Sequence, residues 1–346
     1  MASVTAETQT AGSPATRLLR VAALGTAAVA LVFTLNNYLI FWQGWPGLSG
    51  LFAHFGLAAP KPAPPPLSSG AIVQGIVQLG LYVAALAAVF WHTAARSGRT
   101  LTTDAELLAR GAAYIARAAF WAVLFVGLAD MVISFLRVEN MLEGAVGNEL
   151  ATQLGRASYR GDAVHYPLIA LALIVAAFHR SIGFSWLALL IVLAEFQIVL
   201  ARFIFSYEQA FMGDLVRFWY AALFLFASAY TLIEEGHVRV DILYAGMSER
   251  AKAWSNTVGS AVLGVPLCWI IMTSGMWDKS NLINAPLLTY EVSQSGYGLY
   301  IKYLMAGFLL IYALTMMLQF LGYAMRNAAV IAKDPVARPV GEQYAP

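Results

Sequence analysis

Two histidines, His165 and His179, stand 14 residues apart in an apolar stretch. On a helix that separation is about 21 Å, enough to offer one imidazole to each of two stacked haems. Each haem needs a second axial ligand, however, and His54, His92 and His237 form no matching pair on one apolar segment. His165 and His179 therefore read better as histidines at a membrane boundary. Walker A spacing and His-Glu-x-x-His are both absent, which disfavours an ATP-driven pump and a zinc hydrolase. The single cysteine, Cys268, excludes an intrachain disulfide and any multi-cysteine metal site.

The remaining polar groups capable of specific contacts fall in the second half of the chain. Gln197 and Arg202 place an amide and a guanidinium near the end of an apolar helix, where the arginine can snorkel to the interface or meet a carboxylate such as Glu208 or Asp214. Asp214 and Arg217 have i, i+3 spacing, so on a helix they share a face and can pair. Buried against another subunit, such a pair would fix docking geometry more than add stability. Further along runs Glu234-Glu235-Gly236-His237-Val238-Arg239-Val240-Asp241. Gly236 suits the left-handed position that ends a helix, and Glu234 and Glu235 in the last turn oppose the macrodipole. His237, Arg239 and Arg250 are the cations available to offset them. Ser248 reads as the N-cap of the next helix, with Glu249 in its first turn.

Positioning these groups falls to long apolar segments. Of 346 residues, 60% are hydrophobic and 12% charged, against about 25% charged in soluble domains, and mean hydropathy is +0.68. Blocks of about 20 apolar residues match the hydrocarbon thickness of a bilayer, and lipid offers no partner to an unpaired amide, so these blocks must be helices. The expected class is an all-α integral membrane protein with about eight transmembrane helices. Their expected spans are Leu18 to Trp42, Ala71 to Phe90, Ala112 to Phe135, His165 to Phe178, Phe184 to Phe205, Val216 to Ile233, Trp254 to Met276 and Leu299 to Tyr323. The first four carry few polar residues. Small-residue pairs, Ala23 with Ala27 and Ser260 with Gly264, have the spacing that lets helices approach closely.

The first apolar run continues past Ala28-Val29-Ala30 to Trp42, longer than a signal-peptide core, and reads as a retained anchor. Basic residues gather in the connections on one side, among them Arg17, Arg20, Arg96, Arg99, Arg250 and Lys252, against Lys61, Arg156, Arg160 and Lys279 on the other. The positive-inside rule then places both termini in the cytoplasm. Pro60 to Pro66 reads as a stiff linker on the opposite side. No basic stripe points to nucleic acid.

Residues 184 to 325 resemble the small membrane subunit (DctQ-type) of tripartite ATP-independent periplasmic (TRAP) transporters. The resemblance is carried by Gln197 to Phe203, by Phe211 to Phe218 with Asp214 and Arg217, and most specifically by Gly236-His237-Val238-Arg239-Val240-Asp241. Ala201 is an extra residue before Arg202, Phe211 stands where tryptophan is usual, and Gly213 replaces the first of two acids. What the resemblance implies is a four-helix DctQ-like domain at 181–326, behind an additional four-helix membrane region at 18–180. A disordered N-terminus (1–17) and a cytoplasmic tail (327–346) would complete the chain, like the long form found among TRAP systems of the mannitol and chloroaromatic class. It implies partners: a large membrane subunit (DctM-type) holding the sodium ions and substrate, a periplasmic solute-binding protein, and the lipid bilayer of a bacterial inner membrane. It implies no enzyme activity and no cofactor in this chain, which would act as a scaffold for sodium-coupled uptake of an organic acid. The alternative is a membrane-anchor or cytochrome b-like subunit of a redox complex.

Overall fold

The computed structural model describes residues 13–58, 66–180, 184–207, 210–233, 242–293, 298–334 and 336–337. Among these, eight helices are long and apolar enough to cross a membrane. In chain order they are α1 (Pro14–Phe41), α2 (Ser69–Ala95), α3 (Leu101–Val138), α4 (Ala157–Phe178), α5 (Phe184–Phe205), α6 (Ala210–Ile233), α7 (Glu249–Met276) and α8 (Lys302–Ile331). The described residues contain no strand.

Local chemistry sets the ends. Ser13 caps α1, its hydroxyl accepting from the Thr16 amide at 3.2 Å with Pro14 opening the helix, so α1 starts ahead of the expected Leu18. Ser68 caps α2 in the same way. Ser248 caps α7, accepting from Ala251 N at 3.4 Å, as its position before Glu249 predicts. Two helices depart from regular winding. α4 contains a π turn at Gly161–His165, and α7 contains one at Ser260–Gly264. In each, a proline, Pro167 or Pro266, follows two residues later. A proline inside a helix has no N–H for the carbonyl four residues back and clashes with it, and a wider turn just upstream relieves both problems.

The chain forms two compact units, each described separately. One comprises the described parts of Met1–Ala109, Val238–Cys268 and Met317–Pro346, the other those of Arg110–His237 and Trp269–Met316.

In the first unit α1 packs along α2, burying Ala23, Ala27 and Ala30. Gln78 of α2 is fully buried, donates to Asn36 of α1 at 2.6 Å and accepts from the Gly47 amide at 2.9 Å. Gly264 faces Phe320 of α8 so closely that a Cβ would lie 2.6 Å from the ring. Asn256 donates to Asn327 of α8 at 3.0 Å. Such close approaches and amide pairs hold helices together where lipid removes the hydrophobic drive.

The second unit has an aromatic core. Phe120 and Val123 of α3 meet Leu187 and Ile191 of α5, Phe211, Phe218 and Trp219 of α6, and Phe308 of α8. Phe308 contacts Phe218 and Phe226 with centroids 5.1 and 5.0 Å apart. Gly127 lets the Trp219 indole lie against α3, its Nε1 donating to the Val123 carbonyl at 3.2 Å. The exposed surfaces of α2 and α5 carry Val83, Phe90, Val192 and Phe196, an apolar exterior suited to lipid.

Candidate functional site

The sequence reading of α1 to α4 as poor in polar residues needs correction, because the charged centre of the second unit is built largely on α3 and α4. Asp130 lies in the last third of α3 and is fully buried. One of its oxygens takes Arg160 Nη1 at 2.7 Å and meets His165 Nε2 at 3.2 Å, and the other accepts the Tyr300 amide at 2.7 Å. Arg160, in the first turn of α4, is equally buried. Its Nη1 also reaches Ser134 at 3.0 Å, and Nε and Nη2 both donate to the Leu154 carbonyl. The Arg160 guanidinium lies 4.2 Å from the centre of the Tyr300 ring, and that of Arg137 lies 4.5 Å from the same ring while donating to the Gly298 carbonyl. A cation over an aromatic face gains from the ring quadrupole, the more so when desolvated.

His165 is buried rather than interfacial, and this corrects the sequence reading. Nε2 faces Asp130 and Nδ1 is 2.9 Å from the Tyr303 hydroxyl, so both ring nitrogens are engaged and neither is open to a haem iron. His179 stands exposed just past the end of α4, its ring 6.2 Å from Trp121. Beside His165 the π turn brings Gly161 against Tyr290, whose hydroxyl donates to Asp162 at 2.5 Å, and a side chain at Gly161 would collide with the Tyr290 ring. Burial, reinforced by the neighbouring Asp162 carboxylate, pushes the Tyr290 phenol well above its ordinary pKa. The result is a connected knot: α3 and α4 hold the segment that leads into α8.

The residues singled out from the sequence are arranged differently. Gln197 is exposed on α5, at the edge of an apolar cavity of about 410 Å³ lined also by Phe211, Met212 and Trp219. Arg202 is exposed in the last turn of α5. Asp214 and Arg217 share a face of α6, but at 3.5 Å, with side chains 13% and 77% exposed, the contact is loose. Asp214 is held more firmly by Ser293 Oγ at 2.9 Å and the Leu299 amide at 3.2 Å. Glu208, Glu234, Glu235, Gly236, His237, Arg239 and Asp241 lie outside the described residues, as does most of the Pro60 to Pro66 stretch. The one sequence cue to the knot is Asp130 itself, an acid inside an apolar run, which by default marks a partnered and consequential position.

Among the described residues each fully buried charged side chain, Arg20, Asp104, Asp130 or Arg160, has an ionic partner within the chain. No group of three or more His, Cys, Asp or Glu comes together there to hold a metal ion. This is a multi-pass membrane protein whose buried charges fasten helices to one another. Residues 188–329 match the family model of the DctQ component of tripartite ATP-independent periplasmic (TRAP) transporters, and four of the membrane-length helices, α1 to α4, lie ahead of the matched region. No curated protein and no solved structure matches the chain.

Proposed function

We propose that the chain is the small DctQ-type subunit of a TRAP transporter and acts there as a non-catalytic scaffold. It pairs with the large DctM-type subunit, which holds the sodium ions and the substrate, and a periplasmic binding protein delivers an organic acid to the assembled pair. The chain lies in the inner membrane with both termini in the cytoplasm, so the Tyr290 to Tyr300 segment faces the periplasm. The observation that carries this reading is the Asp130 knot: its carboxylate, guanidinium and imidazole are spent on Tyr300, Tyr303, Ser134 and the Leu154 carbonyl. A cation or proton route needs ionisable groups facing a cavity, and groups consumed in this way support a static role. The 18–180 region then acts as part of the scaffold, since α3 and α4 share one core with the helices that follow.

The test is co-expression with the large DctM-type subunit and the solute-binding protein of the same transporter. Affinity capture of this chain should bring down the large subunit in stoichiometric amount, and deleting this chain should abolish solute uptake. Uptake at an undiminished rate without this chain would refute the proposal.

A further inference from the structure

A second buried charge cluster lies in the first unit, at the start of α1, the end of α2 and the start of α3, and it does not balance. Arg20 of α1 is fully buried. Its Nε donates to Asp104 Oδ2 at 2.7 Å and its Nη2 to the Arg96 carbonyl at 3.2 Å. Its Nη1 is buried and has no hydrogen-bond partner among the described residues. The other oxygen of Asp104 faces the Arg99 guanidinium through Nε and the His92 imidazole through Nε2, both at 3.4 Å. Those distances are well beyond the 2.7–2.9 Å of a strong charge-assisted bond.

One carboxylate thus serves two guanidiniums and an imidazole, which leaves a surplus of at least one positive charge. A guanidinium nitrogen out of water with no acceptor is costly. Arg99 and His92 keep the flank of the cluster partly open, with side chains 25% and 24% exposed, and Arg17 and Arg96 stand exposed nearby on the ends of α1 and α2.

We propose that this cluster binds a phosphate group, bridging Arg20 and Arg99 from the side of Asp104 that Arg99 and His92 leave open. Several features select phosphate. Its oxygens match guanidinium forks in geometry and charge. Its negative charge cancels the surplus, and one oxygen supplies the acceptor that Arg20 Nη1 lacks. The cluster sits where three membrane helices begin or end, the depth of lipid headgroups, so the phosphodiester of an anionic phospholipid is one source and free inorganic phosphate the other.

The experiment uses the purified full chain in neutral detergent. Thermal denaturation is followed with added phosphatidylglycerol, with phosphatidylcholine, and with inorganic phosphate against chloride at matched ionic strength, and native mass spectrometry counts retained lipid. Arg20→Gln could fail to fold, so the working variants are Arg99→Gln and His92→Gln, with Arg250→Gln of α7 as a surface-charge control. Phosphatidylglycerol should raise the melting temperature where phosphatidylcholine does not, and Arg99→Gln should weaken its retention about tenfold while Arg250→Gln leaves it unchanged. Stabilisation by inorganic phosphate that is lost in Arg99→Gln, with no lipid preference, would support the site with the free anion as its source. The proposal is overturned if neither phosphate source stabilises the chain, or if Arg250→Gln reduces retention as much as Arg99→Gln.

Discussion

Replacing Arg160 by methionine keeps most of the side-chain volume and removes the charge. The substitution deletes four hydrogen bonds, to Asp130, to Ser134 and twice to the Leu154 carbonyl, and the contact with the Tyr300 ring. It leaves the Asp130 carboxylate buried with only His165 and the Tyr300 amide. Removing one partner of a buried pair costs about 3–5 kcal/mol, chiefly because the other charge is stranded. The contacts that remain to Asp130 place this case near the lower end, about 3 kcal/mol, or roughly a hundredfold in the unfolding equilibrium. Asp130→Asn strands Arg160 in the converse way. The double variant strands neither, so its penalty should fall short of the sum of the singles by about 2 kcal/mol. Reversible unfolding in mixed dodecyl maltoside and dodecyl sulfate micelles, followed by tryptophan fluorescence, gives all three values, and hydrogen exchange over residues 298–303 locates the loosening. A cost below about 1 kcal/mol for Arg160→Met, or strict additivity in the double variant, would refute the claim that the knot fastens the α8 entry to α3 and α4.

Three further outcomes follow from the same geometry. Gly127→Ala should lower stability by about 1–3 kcal/mol through overpacking, since its Cβ would lie 2.6 Å from the Trp219 indole nitrogen; an unchanged melting temperature would mean that α3 and α6 are further apart than described. Asp214→Ala should speed amide exchange at Leu299 by removing its acceptor, whereas Arg217→Ala, exposed and loosely paired, should stay within about 0.5 kcal/mol of the parent. With its phenol held above the ordinary range, Tyr290 contributes stability that is present below an unfolded-state pKa of about 10 and is lost as pH rises through the folded value. Ultraviolet titration of the parent against Tyr290→Phe should therefore show no phenolate from this residue near pH 10, and a normal Tyr290 titration would contradict the reasoning.

The helical, membrane-spanning character of the chain was legible because it rests on run length, which depends on nothing outside each segment. The Ser248 cap of α7 was legible for the same reason, whereas Ser13 and Ser68 start α1 and α2 ahead of the expected Leu18 and Ala71. The knot was not legible, because Asp130, Arg160 and Tyr300 are far apart in sequence and their pairing depends on three helices meeting. Charge counting put both Arg160 and Arg20 among the residues of the connections, and both are fully buried on helices. The π turns carried a cue in Pro167 and Pro266, visible only when a proline is read for the carbonyl it displaces upstream. Asp214 was expected to pair with Arg217 through their i, i+3 spacing, but Arg217 proves a weaker partner than a hydroxyl and an amide from a segment about 80 residues on.

Reconstitution into proteoliposomes tests the scaffold role most directly. With an inward sodium gradient, the chain alone should accumulate no organic acid, and accumulation should appear once the large subunit and the loaded binding protein are added. Sodium-driven accumulation by this chain without any other protein would contradict the account.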